Sequence, residues 1–363
     1  MHRLVMLVSL AVLCPAQLHA GQPIDRPNIL FILADDLGKE WLSCCGSEHR
    51  TPHLDRLAAG GLRFDNAWAT PLCTPTRVLM LTGRYAFRTG WTAHHDSPRW
   101  GGAFFDWERE IAFPRLLKAA GYATAMAGKW QIDDFRRHPD CLTRHGFDEW
   151  SAWVGFETGN PPSGERYFNP FIQDHTGQRG TRIGQFGPDV FRNSLIDFMT
   201  RHKDRPFLAY YSMVLTHTPM TKTPHNLDTE ARGIDLFPGM VDYCDHEVGC
   251  LIKALEDLNI RDRTLVIFTT DNGTVSGVQC RMNGRLVDGG KAGMTERGIC
   301  VPFIANWPGH VPAGKTTDEL IDFSDILPTL AELAGAKLPQ GVEIDGQSFV
   351  HTLLGRDGPQ PRR

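Results

Sequence analysis

Two pairs of oxygen-bearing side chains stand at the ends of apolar runs. Asp35 and Asp36 follow Ile29 to Ala34 in RPNILFILADDLG, and Asp271 and Asn272 follow Leu265 to Phe268 in RTLVIFTTDNG. A short, continuously apolar run reads as a strand buried on both faces, and open parallel sheets gather ligand sites at their strands' carboxyl ends. If the two strands lie side by side, three carboxylates and an amide converge, and the carboxylates repel one another. A hard divalent cation removes that repulsion, and an all-oxygen set suits Ca2+ or Mg2+ and not zinc. Taken alone, either pair reads as ordinary turn or helix-cap residues. The other chemical oddity is PLCTPTRVLMLTG, where Cys73 sits two residues ahead of Pro75 and four ahead of Arg77 in an otherwise apolar stretch.

Between the two carboxylate-bearing runs, helical and extended patterns alternate. TPHLDRLAAGG predicts a helix closed by Gly60 and Gly61, FPRLLKAAGYATAMAGKW a helix and then a strand, and GPDVFRNSLIDFMTRHKDRPFLAYYSMVLTH a helix followed by a strand over 207–215. That order predicts an α/β fold, a mostly parallel, doubly wound sheet flanked by helices. Residues 155–187, rich in Gly, Pro and polar side chains, read as a long irregular loop. The net charge of −4 and the lack of a basic run argue against a nucleic-acid partner. The opening MHRLVMLVSLAVLCPAQLHAGQP has the basic start, apolar run and small-residue exit of a signal peptide. Its apolar run is about half the roughly 20 residues of a membrane-spanning helix. The expectation is a periplasmic or secreted chain with no membrane span. Residues 1–20 are then the signal, 21–340 the α/β catalytic domain and 341–363 a short C-terminal remnant. The nine cysteines lack paired zinc spacing, and the neighbours Cys44 and Cys45, like Cys244 and Cys250, read as structural or unpaired.

PLCTPTRVLMLTGRY resembles the signature of the formylglycine-dependent sulfatases of the alkaline-phosphatase-like superfamily, C-x-P-x-R followed by a hydrophobic stretch and T-G. The resemblance runs on through RPNILFILADDLG, TPHLDRLAAGGLRF, GYATAMAGKW, THTP, FTTDNG, GGK, DFSDILPTLAELAGA and IDGQSF. It implies that a formylglycine-generating maturation enzyme oxidises Cys73 to an aldehyde, whose hydrate attacks the sulfur of a sulfate ester. Asp35, Asp36, Asp271 and Asn272, with residue 73 itself, would bind one cation, Ca2+ or Mg2+, that lowers the pKa of a diol oxygen. Arg77 would hold the diol and the carboxylates, and Lys129 and Lys291 would bind the sulfate. His217 would protonate the leaving-group oxygen. Inorganic sulfate then leaves in a second, easier step. A secreted member of this family is expected to act on a sulfated carbohydrate.

Three departures bear on that expectation. Gln131 stands where the family commonly has a histidine, and an amide keeps a hydrogen bond but takes no proton near neutral pH. MTERGICVPFI has Arg297 and Cys300 where the family pattern is E-G-G-I-R-V-P. The chain also stops about 15 residues beyond IDGQSF, so the family's small C-terminal antiparallel subdomain is expected to be short or missing. GRLVDGGKA has the wrong glycine spacing for a phosphate loop, and no G-x-G-x-x-G follows the first strand to support a dinucleotide enzyme. The stretch from Gly90 to Trp107, with Trp91, His94, His95, Arg99, Trp100, Phe104, Phe105 and Trp107, reads equally as a sugar-stacking surface or as a loop pinned by its aromatics. Two rivals stand: a phosphate or phosphonate ester hydrolase of the same superfamily, and a catalytically silent binder of sulfated glycans.

Overall fold

The computed structural model describes residues 26–93, 104–155, 164–358 and 362. The segment read as a signal peptide, and His94, His95, Arg99 and Trp100 of the aromatic stretch, lie outside the described residues. The strands are β1 (Asn28–Ala34), β2 (Leu62–Trp68), β3 (Ala123–Lys129), β4 (Glu149–Trp153), β5 (Phe171–Asp174), β6 (Arg179–Thr181), β7 (Phe207–Ser212), β8 (Thr264–Thr270), β9 (Gln279–Met282), β10 (Arg285–Asp288), β11 (Cys300–Asn306) and β12 (Lys315–Asp322). Ten of them form one sheet in the order β12-β2-β11-β8-β1-β7-β3-β4-β5-β6, and β9 and β10 pair as a separate hairpin. The central block β8-β1-β7-β3-β4 is parallel throughout. The β4, β5 and β6 edge is antiparallel, as is β11 against both of its neighbours.

β1 shows why its sequence is apolar without a break from Ile29 to Ala34. Ile29, Phe31 and Leu33 enter the core on one face, with the helices Cys73–Thr82, Phe113–Ala119 and Ile326–Ala334. Leu30, Ile32 and Ala34 enter the core on the other, with Pro52–Ala59, Gly187–His202 and Phe237–Asp257. With both faces covered, alternation would leave polar groups buried, so the run is continuous. Each fully buried Leu, Ile or Phe contributes about 1.5–3 kcal/mol relative to exposure. The result is the doubly wound α/β sandwich expected from the sequence, although the 21-residue helix Phe237–Asp257 had no place in that reading.

One further reading is corrected, and of the two held open for 90–107 the described residues favour one. The stretch 155–187 is not irregular throughout: it supplies the edge strands β5 and β6, too short and too polar to show a strand period. The described aromatics of 90–107 mostly pin the loop. Trp91 and Phe105 are buried in the core, and Phe105 stacks on His145 at 4.2 Å between centroids. Near the chain's end Phe349, Val350 and Leu353 are buried against the same core, and Asp345 accepts from Tyr85 N and Arg88 Nε. The eight cysteines of the described residues form no disulfide. Among the described residues no helix is long and apolar enough to cross a membrane.

Candidate active site

Register sets the site. Ala34 of β1 pairs with Thr270 of β8, so Asp35 and Asp271 leave adjacent parallel strands at the same level. Leu33 pairs with Ser212 of β7, and Gly128 of β3 pairs with Ser212, which brings Lys129 to that level too. Cys73 is the first residue of its helix, where the helix dipole favours negative charge. Pro75 fits there because a first-turn N–H has no intrahelical partner to lose. All ten residues singled out from the sequence converge at this edge of the sheet.

Asp35 is fully buried and its Oδ2 accepts from Lys129 Nζ at 2.6 Å, with Arg77 Nη2 at 3.8 Å. Arg77 Nη2 also bonds Asp271 Oδ2 at 2.6 Å. Its Nη1 donates to Ser212 Oγ, which in turn donates to the Lys129 carbonyl at 2.6 Å. One guanidinium thus ties β8, β7 and β3 together, as a rigid planar fork can. Asp36 accepts from Lys291 Nζ at 2.6 Å and from Asn272 Nδ2 at 2.7 Å, and His217 Nε2 is 3.6 Å from its Oδ2. Cys73 Sγ donates to Gln131 Oε1 at 3.4 Å. Ligand atoms of Asp35, Cys73 and Asp271 all lie within 4.8 Å of one another, as do those of Asp35, Asp36 and His217. His217 and Lys291 keep 15% and 16% side-chain exposure while Asp35, Lys129 and Asp271 keep none, so the site opens on the His217 and Lys291 side.

Burial and charge pull the three carboxylates apart. Burial pushes Asp35 upward, but Lys129 above all, then His217 and Arg77, outweigh it and hold the carboxyl far below its ordinary range. Asp36 is also burdened by burial, yet held down by His217 and Lys291. Burial and the Asp35 charge push Asp271 well up despite Arg77. Two buried oxygens, Asp35 Oδ1 and Asn272 Oδ1, have no hydrogen-bond partner. The donor set and these orphaned acceptors fit a hard divalent cation. Burial pushes His217 down to about 3, with Asp36 and Asp35 working the other way. Its Nδ1 faces the Thr218 carbonyl at 2.7 Å, so Nδ1 carries the proton and Nε2 faces the site.

One neighbour escaped the sequence reading. Arg166, 2% exposed, places Nη1 at 3.9 Å from Asp35 Oδ2 and stacks over Trp153 at 4.0 Å. It lies in the stretch read as loop and no motif surrounds it. Arg297, by contrast, is exposed and donates to the Asp288 carbonyl, so it does not bring a guanidinium into the site.

The backbone has its own requirement at Gly128, where φ is +107° and an added Cβ would lie 1.9 Å from the Ser212 carbonyl oxygen. Gly128→Ala is expected to destabilise the fold by about 3 kcal/mol or more, since strain and a backbone clash combine. Denaturant unfolding checks this, and an unchanged midpoint would contradict it.

A doubly wound sheet with buried carboxylates gathered at the carboxyl ends of adjacent strands, beside a helix that starts on Cys73, is the architecture of an alkaline-phosphatase-like hydrolase. Within that class the chain belongs to the sulfatase family, whose sequence profile, described as Sulfatase, matches residues 27–336. It is 34% identical to N-acetylgalactosamine-6-sulfatase of Canis lupus familiaris, over 95% of this chain and 69% of that protein. It is 31% identical to steryl-sulfatase of Mus musculus, over 93% of this chain and 66% of that protein. The solved structure of Ps i-CgsB in complex with k-i-k-neocarrahexaose matches with a TM-score of 0.74 at 27% identity, covering 91% of this chain and 76% of that one. The chain spans about two thirds of the length of these curated relatives.

Proposed function

We propose that this protein hydrolyses sulfate monoesters of carbohydrates and releases inorganic sulfate, with residue 73 as formylglycine. The observation that carries the reading is Cys73 at a helix N-terminus, facing Asp35 and Asp271 and flanked by Lys129, Lys291 and Arg77. Asp35, Asp36, Asp271 and Asn272, with residue 73, would hold one divalent cation, Ca2+ or alternatively Mg2+, which when bound supplies positive charge beside residue 73. Formylglycine supplies a carbon whose hydrate is a nucleophile that needs no thiol partner. A secreted or periplasmic location supports this chemistry only through the N-terminal sequence pattern.

The chain's residues divide the remaining work. Lys129 and Lys291 offset charge on the non-bridging sulfate oxygens. Arg77 fixes Asp271 and the end of β3 so that nucleophile and cation ligands keep their spacing. Gln131 orients residue 73 by a hydrogen bond. His217, on the open side, takes a proton from solvent at Nε2 when the ester binds and then gives it to the departing alcohol oxygen. Burial keeps it neutral in the free protein, and the negative charge of an arriving sulfate ester favours the imidazolium it must become. His217→Ala should therefore slow sugar sulfates by about 10²–10⁴-fold while 4-nitrophenyl sulfate, whose leaving group needs no proton, is much less affected. A matched kcat series on both esters checks this, and an equal loss on each would contradict it.

The carbohydrate preference is supported by two of the three relatives, one named for N-acetylgalactosamine 6-sulfate and one solved with an oligosaccharide. The third is named for a steryl sulfate. Turnover of a sugar 6-sulfate, a steroid sulfate and the matching phosphate esters by the matured protein tests the reading. Sulfate release favouring the sugar is expected, and faster phosphate release would move the assignment to the rival hydrolase.

A further inference from the structure

We infer that Tyr167 is a positioning residue for His217, acting through the turn that carries it; this rests on the proposed proton-donor role of His217. His217 does not follow its strand directly, because β7 ends at Ser212 and Met213 to His217 turn across the carboxyl edge of β1. One side of that turn is stitched to β1 by main-chain bonds: Met213 N to Leu33 O at 2.9 Å, Asp35 N to Leu215 O at 2.8 Å and Thr216 N to Asp35 O at 2.6 Å. The internal bond from His217 N to Val214 O is long, 3.3 Å. The other side is held by one phenol. Tyr167 Oη donates to the Val214 carbonyl at 2.8 Å and reaches the His217 carbonyl as well, so it brackets both ends of the turn.

The bracket is rigid at its base. Tyr167 is 1% exposed, and its ring stacks on Phe186 at 6.1 Å between centroids. Its carbonyl accepts from Gly187 N at 2.6 Å, and a Cβ on Gly187 would lie 1.9 Å from the Arg166 carbonyl oxygen. The chain at 166–167 is thereby pressed against the start of the helix Gly187–His202. The ring of His217 is in turn tied to the neighbouring backbone through Nδ1 and the Thr218 carbonyl. A shift of the His217 carbonyl therefore moves Nε2. Proton transfer tolerates little displacement, and a misplacement of about 1 Å costs on the order of 10²-fold in rate.

The plain alternative is that Tyr167 only completes the core, in which case losing its hydroxyl weakens the fold without touching leaving-group preference. Tyr211 is the control, a buried phenol that donates to the Pro188 carbonyl and to Glu247 Oε2, both at 3.1 Å. Tyr167→Phe is expected to lower kcat on a sugar 6-sulfate by about 10–10²-fold and to leave 4-nitrophenyl sulfate within about twofold. Tyr211→Phe should leave the ratio of the two rates unchanged. Tyr167→Phe placed on His217→Ala should add nothing further, as expected of residues acting as a unit. In parallel, the His217 ring signal in the NMR spectrum, assigned by its loss in His217→Ala, should shift in Tyr167→Phe and stay put in Tyr211→Phe. Equal losses on both esters, an unchanged sugar-sulfate rate, or an unmoved His217 signal would each overturn the inference. If the wild-type protein releases no sulfate, the sulfatase reading fails instead, and the ring signal still decides whether Tyr167 positions His217.

Discussion

Cys73→Ala is expected to abolish sulfate release, lowering kcat by about 10⁵-fold or more, because nothing else at the site stands in for the nucleophile. The ring of charges does not depend on the thiol. Lys129 remains paired with Asp35, Arg77 with Asp271 and Lys291 with Asp36, so the variant should fold and keep the four cation-binding side chains Asp35, Asp36, Asp271 and Asn272 in place. The destabilisation should stay near the about 1 kcal/mol typical of a single substitution. Activity on 4-nitrophenyl sulfate, with circular dichroism and metal content measured on the same preparation, separates the two effects. Residual turnover within tenfold of wild type would mean that another group performs the attack.

Asp35→Ala carries the second large effect, and here stability and function should fall together. Asp35 is the shared counter-charge of Lys129 at 2.6 Å, Arg77 at 3.8 Å and Arg166 at 3.9 Å, all buried. Removing one partner of a buried pair leaves the other charge uncompensated, at a cost of about 3–5 kcal/mol. The linkage has a definite sign. A carboxyl held below its unfolded pKa contributes stability above that ordinary value and loses it as the pH falls through the depressed one. The wild-type protein should thus keep this contribution from neutral pH down into the acid range, and the variant should lack it throughout. The cation site also loses one of its oxygens, so stoichiometric Ca2+ binding should disappear and sulfate release should fall by about 10³-fold or more. Dialysis of wild type against a chelator should reproduce the loss of activity. A variant that unfolds at the wild-type denaturant concentration and retains its Ca2+ would contradict both parts.

The sequence was most informative where local chemistry and local period coincide. β1 and β8 were legible because strands buried on both faces must be continuously apolar, and the carboxylates that follow them interrupt that run abruptly. Cys73 stood out as a lone thiol before Pro75 and Arg77 in an apolar stretch, but the roles of both came from the resemblance; Arg77 does bridge to Asp271. Lys129, Lys291, His217 and Gln131 were reached only through the resemblance, since a lone lysine or histidine after a strand has no local signature. Their convergence depends on the register of β3, β7 and β1, which is a long-range property. Arg166 and Tyr167 were not legible at all. They sit in a segment without hydrophobic period, and their importance comes from partners at Asp35, Val214 and His217 that are distant in sequence. β5 and β6 were hidden for a related reason. Short edge strands with one polar face carry too few residues to establish a period of two.

The replacement of the family histidine by Gln131 has a structural counterpart. Gln131 holds a left-handed backbone with φ of +67° and accepts from Cys73 Sγ, so on the proposed reading the position orients residue 73 while contributing no base. Proton removal in the second step must then fall to another group, and whether turnover survives is the sharpest question about this chain.

Intact-peptide mass spectrometry across residue 73, on protein produced with a formylglycine-generating enzyme, together with sulfate release from an aryl sulfate on the same sample, answers it most directly. The account predicts a Cys73 peptide lighter than the thiol by about 18 Da, with its hydrate alongside, and sulfate release that a chelator abolishes. Full conversion at residue 73 with no sulfate released from aryl or sugar sulfates would contradict the account and leave a protein that binds sulfated glycans without cleaving them.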